Sequence, residues 1–157
     1  MYFIVVPYAQ RLKKRGKRMC KIVHVAIHIV NECIKRDIEI DYFKVQKLAY
    51  CSQGWHLKKY DVPLAPEAAL NWSCGAGFKE IYAFFKTNNL IDEKKLTNPI
   101  NKKLDLLSFE KETIDCVIDK YADLPFNELK SLYTYEQIAI GEVIPNDIIK
   151  DSFNNNL

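Results

Sequence analysis

The segment DYFKVQKLAYCSQGWHLKKY, residues 41–60, decides the fold. Asp41 is a good N-cap, because its carboxylate can accept from the free N–H groups of a first helical turn. Val45, Leu48, Ala49, Ser52 and Trp55 recur at helical spacing and make one face, with Gln46, Tyr50, Gln53 and Leu57 as an adjacent ridge. The segment therefore predicts a helix running to about Tyr60. Gly54 in its interior costs about 1 kcal/mol relative to alanine, so another backbone is expected to pack close to it.

Outward from this helix the pattern stays helical. Over residues 21–36, Ile22, Val25, Ala26, Ile29, Val30 and Cys33 belong to an apolar set covering most of a helical circumference. The polar remainder, His24, His28, Asn31, Glu32 and Lys35, falls on one narrow stripe expected to touch water. Pro63, Pro66 and Gly75 make residues 61–76 mostly loop, with a short extended piece near residues 69–73. Phe78, Ile81, Tyr82 and Phe85 mark a third helix over about 77–87, followed by a polar connection over 88–103. Ser108 is expected to cap a helix whose Ile114, Val117, Ile118 and Tyr121 face the core, with Glu110 and Glu112 near its positive end. Pro125 and Pro145 open two further short helices. The fold class is mainly α, a compact single-domain bundle of about six helices.

A chain of 157 residues fits one domain large enough to bury a real core. Its 48% apolar, 12% aromatic and 27% charged residues exclude disorder, and five glycines and six prolines exclude collagen-like repeats. The formal charge of +3 is unevenly distributed: residues 1–18 hold six basic residues and no acid, which leaves 17 basic and 20 acidic residues over 19–157. The chain is thus an acidic body carrying a short basic extension. Such an arm suits nucleic acid or an anionic surface. The preferred reading is an upstream extension, with Met19, just ahead of the first helix, as the natural start of a domain over 19–157. The short apolar run Phe3–Val6 precedes the charges, the reverse of a secretion signal. No stretch approaches the roughly 20 apolar residues of a membrane span. Five scattered cysteines, an odd number, read as reduced thiols in a cytoplasmic protein.

Cys20, His24 and His28 repeat at helical spacing, yet ligands on one straight helix spread along about 12 Å and cannot meet on one ion. His56 is five residues from Cys51, out of register for a dyad. No phosphate loop or nucleophile elbow occurs. No catalytic, cofactor-binding or metal-binding residue is therefore assigned, and the chain is not expected to be an enzyme.

The segment Lys44–Leu57 resembles the characteristic helix of the Panacea, or SocA-like, antitoxin domain family, to which phage-associated GepA-like proteins belong. Pro63-Leu64, Asn71-Trp72-Ser73-Cys74-Gly75 and Ile81-Tyr82 are similar to the family's later motifs, in the same order. Leu132-Tyr133-Thr134-Tyr135 stands where the family has Leu-Thr-His, so Tyr135 replaces its histidine, and Ala76 replaces the proline of its Gly-Pro turn. The resemblance implies a toxin–antitoxin system, phage- or mobile-element-borne, in which this chain neutralises a cognate protein toxin by direct contact or hands it to a ClpXP-type protease. Gln46, Lys47, Tyr50, Gln53, Gly54 and Trp55, with Trp72, Gly75, Tyr82 and Thr134, are the expected partner-binding or family-motif residues. An acidic body also suits a basic toxin. The alternative is a DNA-binding regulator that uses the basic arm. No cofactor and no membrane partner are expected.

Overall fold

The computed structural model describes residues 19–132, 135 and 137–155. Among these the chain order is α1 (Ile22–Lys35), α2 (Tyr42–Tyr60), β1 (Ala69–Trp72), β2 (Gly75–Gly77), α3 (Lys79–Thr87), α4 (Ser108–Tyr121), α5 (Phe126–Leu132), β3 (Val143–Ile144) and α6 (Asn146–Asn155). The fold is mainly α, with six helices and one small sheet, in agreement with the periodicity.

Asp41 caps α2 as expected, accepting from Lys44 N–H at 2.9 Å. The helix ends where Asp61 turns left-handed at φ 60°. α2 is the axle of the molecule: Tyr42, the whole run 45–54, His56 and Leu57 are buried, and α1, α4, α5 and α6 all pack on it. The core gathers Ile22 and Ile29 of α1, Leu48 and Tyr50 of α2, Phe85, Ile114 and Phe153 around this axis. The neighbour at Gly54 is not a backbone: a Cβ built there would overlap the Phe153 ring of α6. The glycine makes room for an aromatic side chain.

The polar stripe of α1 is only half-exposed, because it is spent on neighbouring chain. Asn31 clamps the backbone of Ile100, receiving its N–H at 2.7 Å and donating to its carbonyl at 3.0 Å. His24 Nδ1 accepts from Asp105 N–H at 3.0 Å, and His28 Nε2 lies 2.9 Å from Asp115 of α4. A strand-less connection must place its backbone polar groups somewhere, and the stripe receives them. Helix α4 begins one residue earlier than a Ser108 cap requires. Leu107 is the N-cap, and the buried Glu110 carboxylate reaches back to its N–H at 2.8 Å.

The extended piece near residues 69–73 is β1, the centre of a three-stranded antiparallel sheet in the order β2-β1-β3. Leu70 pairs with Gly77 and Trp72 with Gly75 on one side, and Ala69 pairs with Ile144 on the other. β2 and β3 are three and two residues long and left no period in the sequence. Cys20, Cys33 and Cys51 are buried and Cys74 and Cys116 exposed, all as free thiols. Burial pushes Cys33 up to about 11 and Cys51 to about 12, which makes both poor nucleophiles. No helix among the described residues is long and apolar enough to cross a membrane.

Candidate functional site

The two amides of α2 hold the segment that follows it. Gln53 Oε1 accepts from Leu64 N–H at 2.9 Å and Ala65 N–H at 3.1 Å, while its Nε2 donates to Ala65 carbonyl at 3.0 Å. One turn pair earlier, Gln46 grips Phe78 the same way, accepting from its N–H at 2.8 Å and donating to its carbonyl at 3.0 Å. Held extended at φ −125°, Phe78 becomes the N-cap, so α3 starts at Lys79 rather than at residue 77. The clamps press the β1–β2 hairpin onto the first half of α2.

Between them lies a shallow groove lined by Tyr42, Phe43, Gln46, Lys47, Trp72, Cys74, Ala76 and Phe126. It holds room for about one water, about 10 Å³, far less than a small-molecule pocket of 300–1,000 Å³. Its rim is aromatic. Phe43 stacks edge-on to Phe126 with ring centres 6.0 Å apart, and Tyr42 meets Phe43 at 5.1 Å and Tyr82 at 6.4 Å. Phe43 and Tyr82 are 43% and 42% exposed, unusual for rings of this size.

Lys47 is the charged residue of this groove and is only 3% exposed. Its side chain crosses Gly75, whose φ of +106° is open to glycine alone, and a Cβ at Gly75 would overlap the ammonium. The absence of a side chain at Gly75 is thus what lets Lys47 lie there. Burial lowers its pKa to about 8, with Lys130 pushing the same way and the Cys51 and Cys74 thiols opposing. No hydrogen bond or ion pair reaches Lys47 among the described residues.

The expected site residues divide by location. Gln46, Lys47 and Trp72 share the groove, Gly75 lies against the Lys47 side chain, and Tyr82 stands beyond Tyr42. Tyr50 is in the core between Tyr135 and Phe153, its hydroxyl bonded to that of Tyr135. Gly54 lies beneath Phe153, and Gln53 serves the loop. Trp55 faces away towards α4, donating to the Tyr121 hydroxyl at 3.2 Å with Lys58 and Lys120 over its ring. Thr134 lies outside the described residues. Phe43 and Phe126 were not singled out from the sequence. The readable signal was Phe43, an aromatic off the apolar face and one helical turn before Lys47.

Elsewhere, His28, Glu32 and Asp115 bring their ligand atoms within 4.8 Å of one another. A cation already serves them: Arg36 Nε donates to Glu32 at 3.0 Å and its guanidinium lies 3.9 Å from Asp115 and bonds Asp119. His56 is buried against Thr113, its Nδ1 3.1 Å from Oγ1, and burial lowers its pKa to about 3, so it stays neutral.

Comparison with known proteins gives a match to the family described as Antitoxin SocA-like, Panacea domain, over residues 45–138. That is more than half the chain and runs from α2 through the hairpin to the segment after α5. No curated protein and no solved structure matches the chain.

Proposed function

The chain belongs to the antitoxin SocA-like, Panacea domain family, and on that premise we propose that it is the antitoxin of a toxin–antitoxin pair, binding its cognate protein toxin through the groove around Lys47. The observation that carries the location is the pairing of the exposed Phe43 and Tyr82 rings with a lysine side chain only 3% exposed, around a space too small for a metabolite. Tyrosine, tryptophan and phenylalanine give large contact area at low entropy cost, which is why they dominate protein interfaces. Neutralisation by contact needs no covalent chemistry, so the protein acts as a binder in the cytoplasm, encoded with its toxin on a phage or mobile element.

The test is co-expression with the product of the adjacent reading frame. That product alone is expected to arrest growth, and this chain to restore growth and to co-purify with it. A toxic neighbour that is neither bound nor relieved sinks the reading. Repeating the rescue in cells lacking ClpXP separates the routes: direct neutralisation persists there, whereas a proteolytic adaptor loses it.

A further inference from the structure

We infer that a second cleft, next to the Lys47 groove, receives an arginine side chain of the toxin; the inference rests on the antitoxin reading above. The cleft holds about 340 Å³ and lies between the α1–α2 connection and the start of α5. Its lining brings three acidic residues, Glu39, Asp41 and Asp123, together with one lysine, Lys44. Asp41 is committed to the α2 cap, and the Lys44 ammonium donates to the Glu39 backbone carbonyl at 3.3 Å. Glu39 and Asp123 are exposed and belong to different walls. The excess charge of the lining is negative, so its complement is a cation.

The apolar part of the lining selects among cations. Ile38, Leu124, Pro125 and Phe126 suit the aliphatic stem of a long side chain whose charged head stays at the rim. A guanidinium also stacks on an aromatic ring and pairs with carboxylates through its planar fork, which an ammonium cannot match. Continuity with the neighbouring groove fixes the source of the cation. Phe126 lines both spaces, and its ring meets the exposed Phe43 edge-on. An arginine on a protein surface engages the cleft and the aromatic rim together, whereas a free small cation fills the cleft alone. The walls are in place before the partner arrives: Ile38 N–H donates to Cys33 carbonyl at 2.8 Å, Leu124 N–H to Tyr121 carbonyl at 3.0 Å, and Ile40 carbonyl accepts from Leu96 N–H at 2.8 Å. Such preorganisation reduces the ordering cost of binding.

The experiment uses the full chain and the product of the adjacent reading frame. Glu39→Lys combined with Asp123→Lys reverses the two exposed carboxylates and leaves the Asp41 cap alone. The double variant is expected to melt within about 2 °C of the wild type, since both side chains are exposed. It is expected to bind the toxin at least about 30-fold more weakly, largely through slower association, and to lose the salt sensitivity of the wild type. Glu112→Lys combined with Asp151→Lys makes the same change in net charge at exposed positions of α4 and α6. That control is expected to bind within about 3-fold of the wild type. One Arg→Glu substitution in the toxin is expected to restore binding to the Glu39 and Asp123 double variant. Binding by that variant within about 2-fold of wild type, an equal loss in the control, or failure of every Arg→Glu toxin to restore binding overturns the inference and leaves the antitoxin reading standing. A wild-type chain that binds no toxin removes both.

Discussion

One missing side chain gives the Phe153 ring its seat. A Cβ at Gly54 would come within 2.5 Å of Phe153 Cζ and closer still to two other ring atoms, all inside contact distance. Gly54→Ala gains up to about 1 kcal/mol of helix propensity but overpacks a closed core, which costs about 1–3 kcal/mol. The expected result is a net loss of stability in urea titration. Combined with Phe153→Leu, the loss should be smaller than the sum of the two single changes, because the smaller side chain frees the space. His56 carries a second prediction at this scale. Its pKa is about 6.5 in the unfolded chain and about 3 when folded. Between those values the unfolded chain binds a proton that the native protein refuses, so stability falls as pH drops through 6.5 towards 3, at about 1.4 kcal/mol per unit, and is undiminished above 6.5. Urea midpoints measured from pH 7 to pH 4 should show this slope, and His56→Gln should flatten it by about that amount.

Among the elements, α2 was readable and what it holds was not. The Asp41 cap and the 3.6-residue period of the apolar positions place the helix correctly, since both are local. Gln46 and Gln53 read as a ridge beside the core, whereas each spends both ends of its amide on a distant backbone. The α1 stripe behaves alike, with Asn31 gripping Ile100 69 residues away. Such bonds leave no period, because their partners are loops that have none. The groove was half-readable for the same reason: Lys47 and Trp72 stand out as residue types, but Phe43 and Phe126 join them only through the fold. Removing a clamp tests this account at its own scale. Gln53→Ala orphans two buried N–H groups and a carbonyl, each worth about 1–3 kcal/mol when left unsatisfied. Amide hydrogen exchange at Leu64 and Ala65 should quicken at least about tenfold, while exchange within α1 follows only the global change. Uniform acceleration everywhere would mean that Gln53 supports the whole core rather than its loop.

For the molecule as a whole, the question is how much of the chain the fold needs. The described core begins at Cys20, which is 1% exposed and donates its S–H to Leu64 carbonyl at 3.2 Å. Two residues on, Ile22 N–H donates to Glu67 Oε1 at 3.1 Å, so the start of α1 is tied down by groups that lie within residues 19–157. Residues 1–18 carry six basic residues and set the sign of the net charge, which passes from +3 to −3 without them. Deleting 1–18 tests whether the excess positive charge and the stability of the fold separate along the chain. The shortened protein is expected to melt within about 2 °C of the full chain, since the ties that hold the start of α1 lie within residues 19–157, and to neutralise the toxin equally well. Any retention on duplex DNA at low salt should vanish with the arm, because phosphate binding follows the clustered lysines and arginines. Loss of neutralisation by a fully folded Met19–Leu157 protein would instead place the toxin contact on the arm and overturn the assignment to the Lys47 groove.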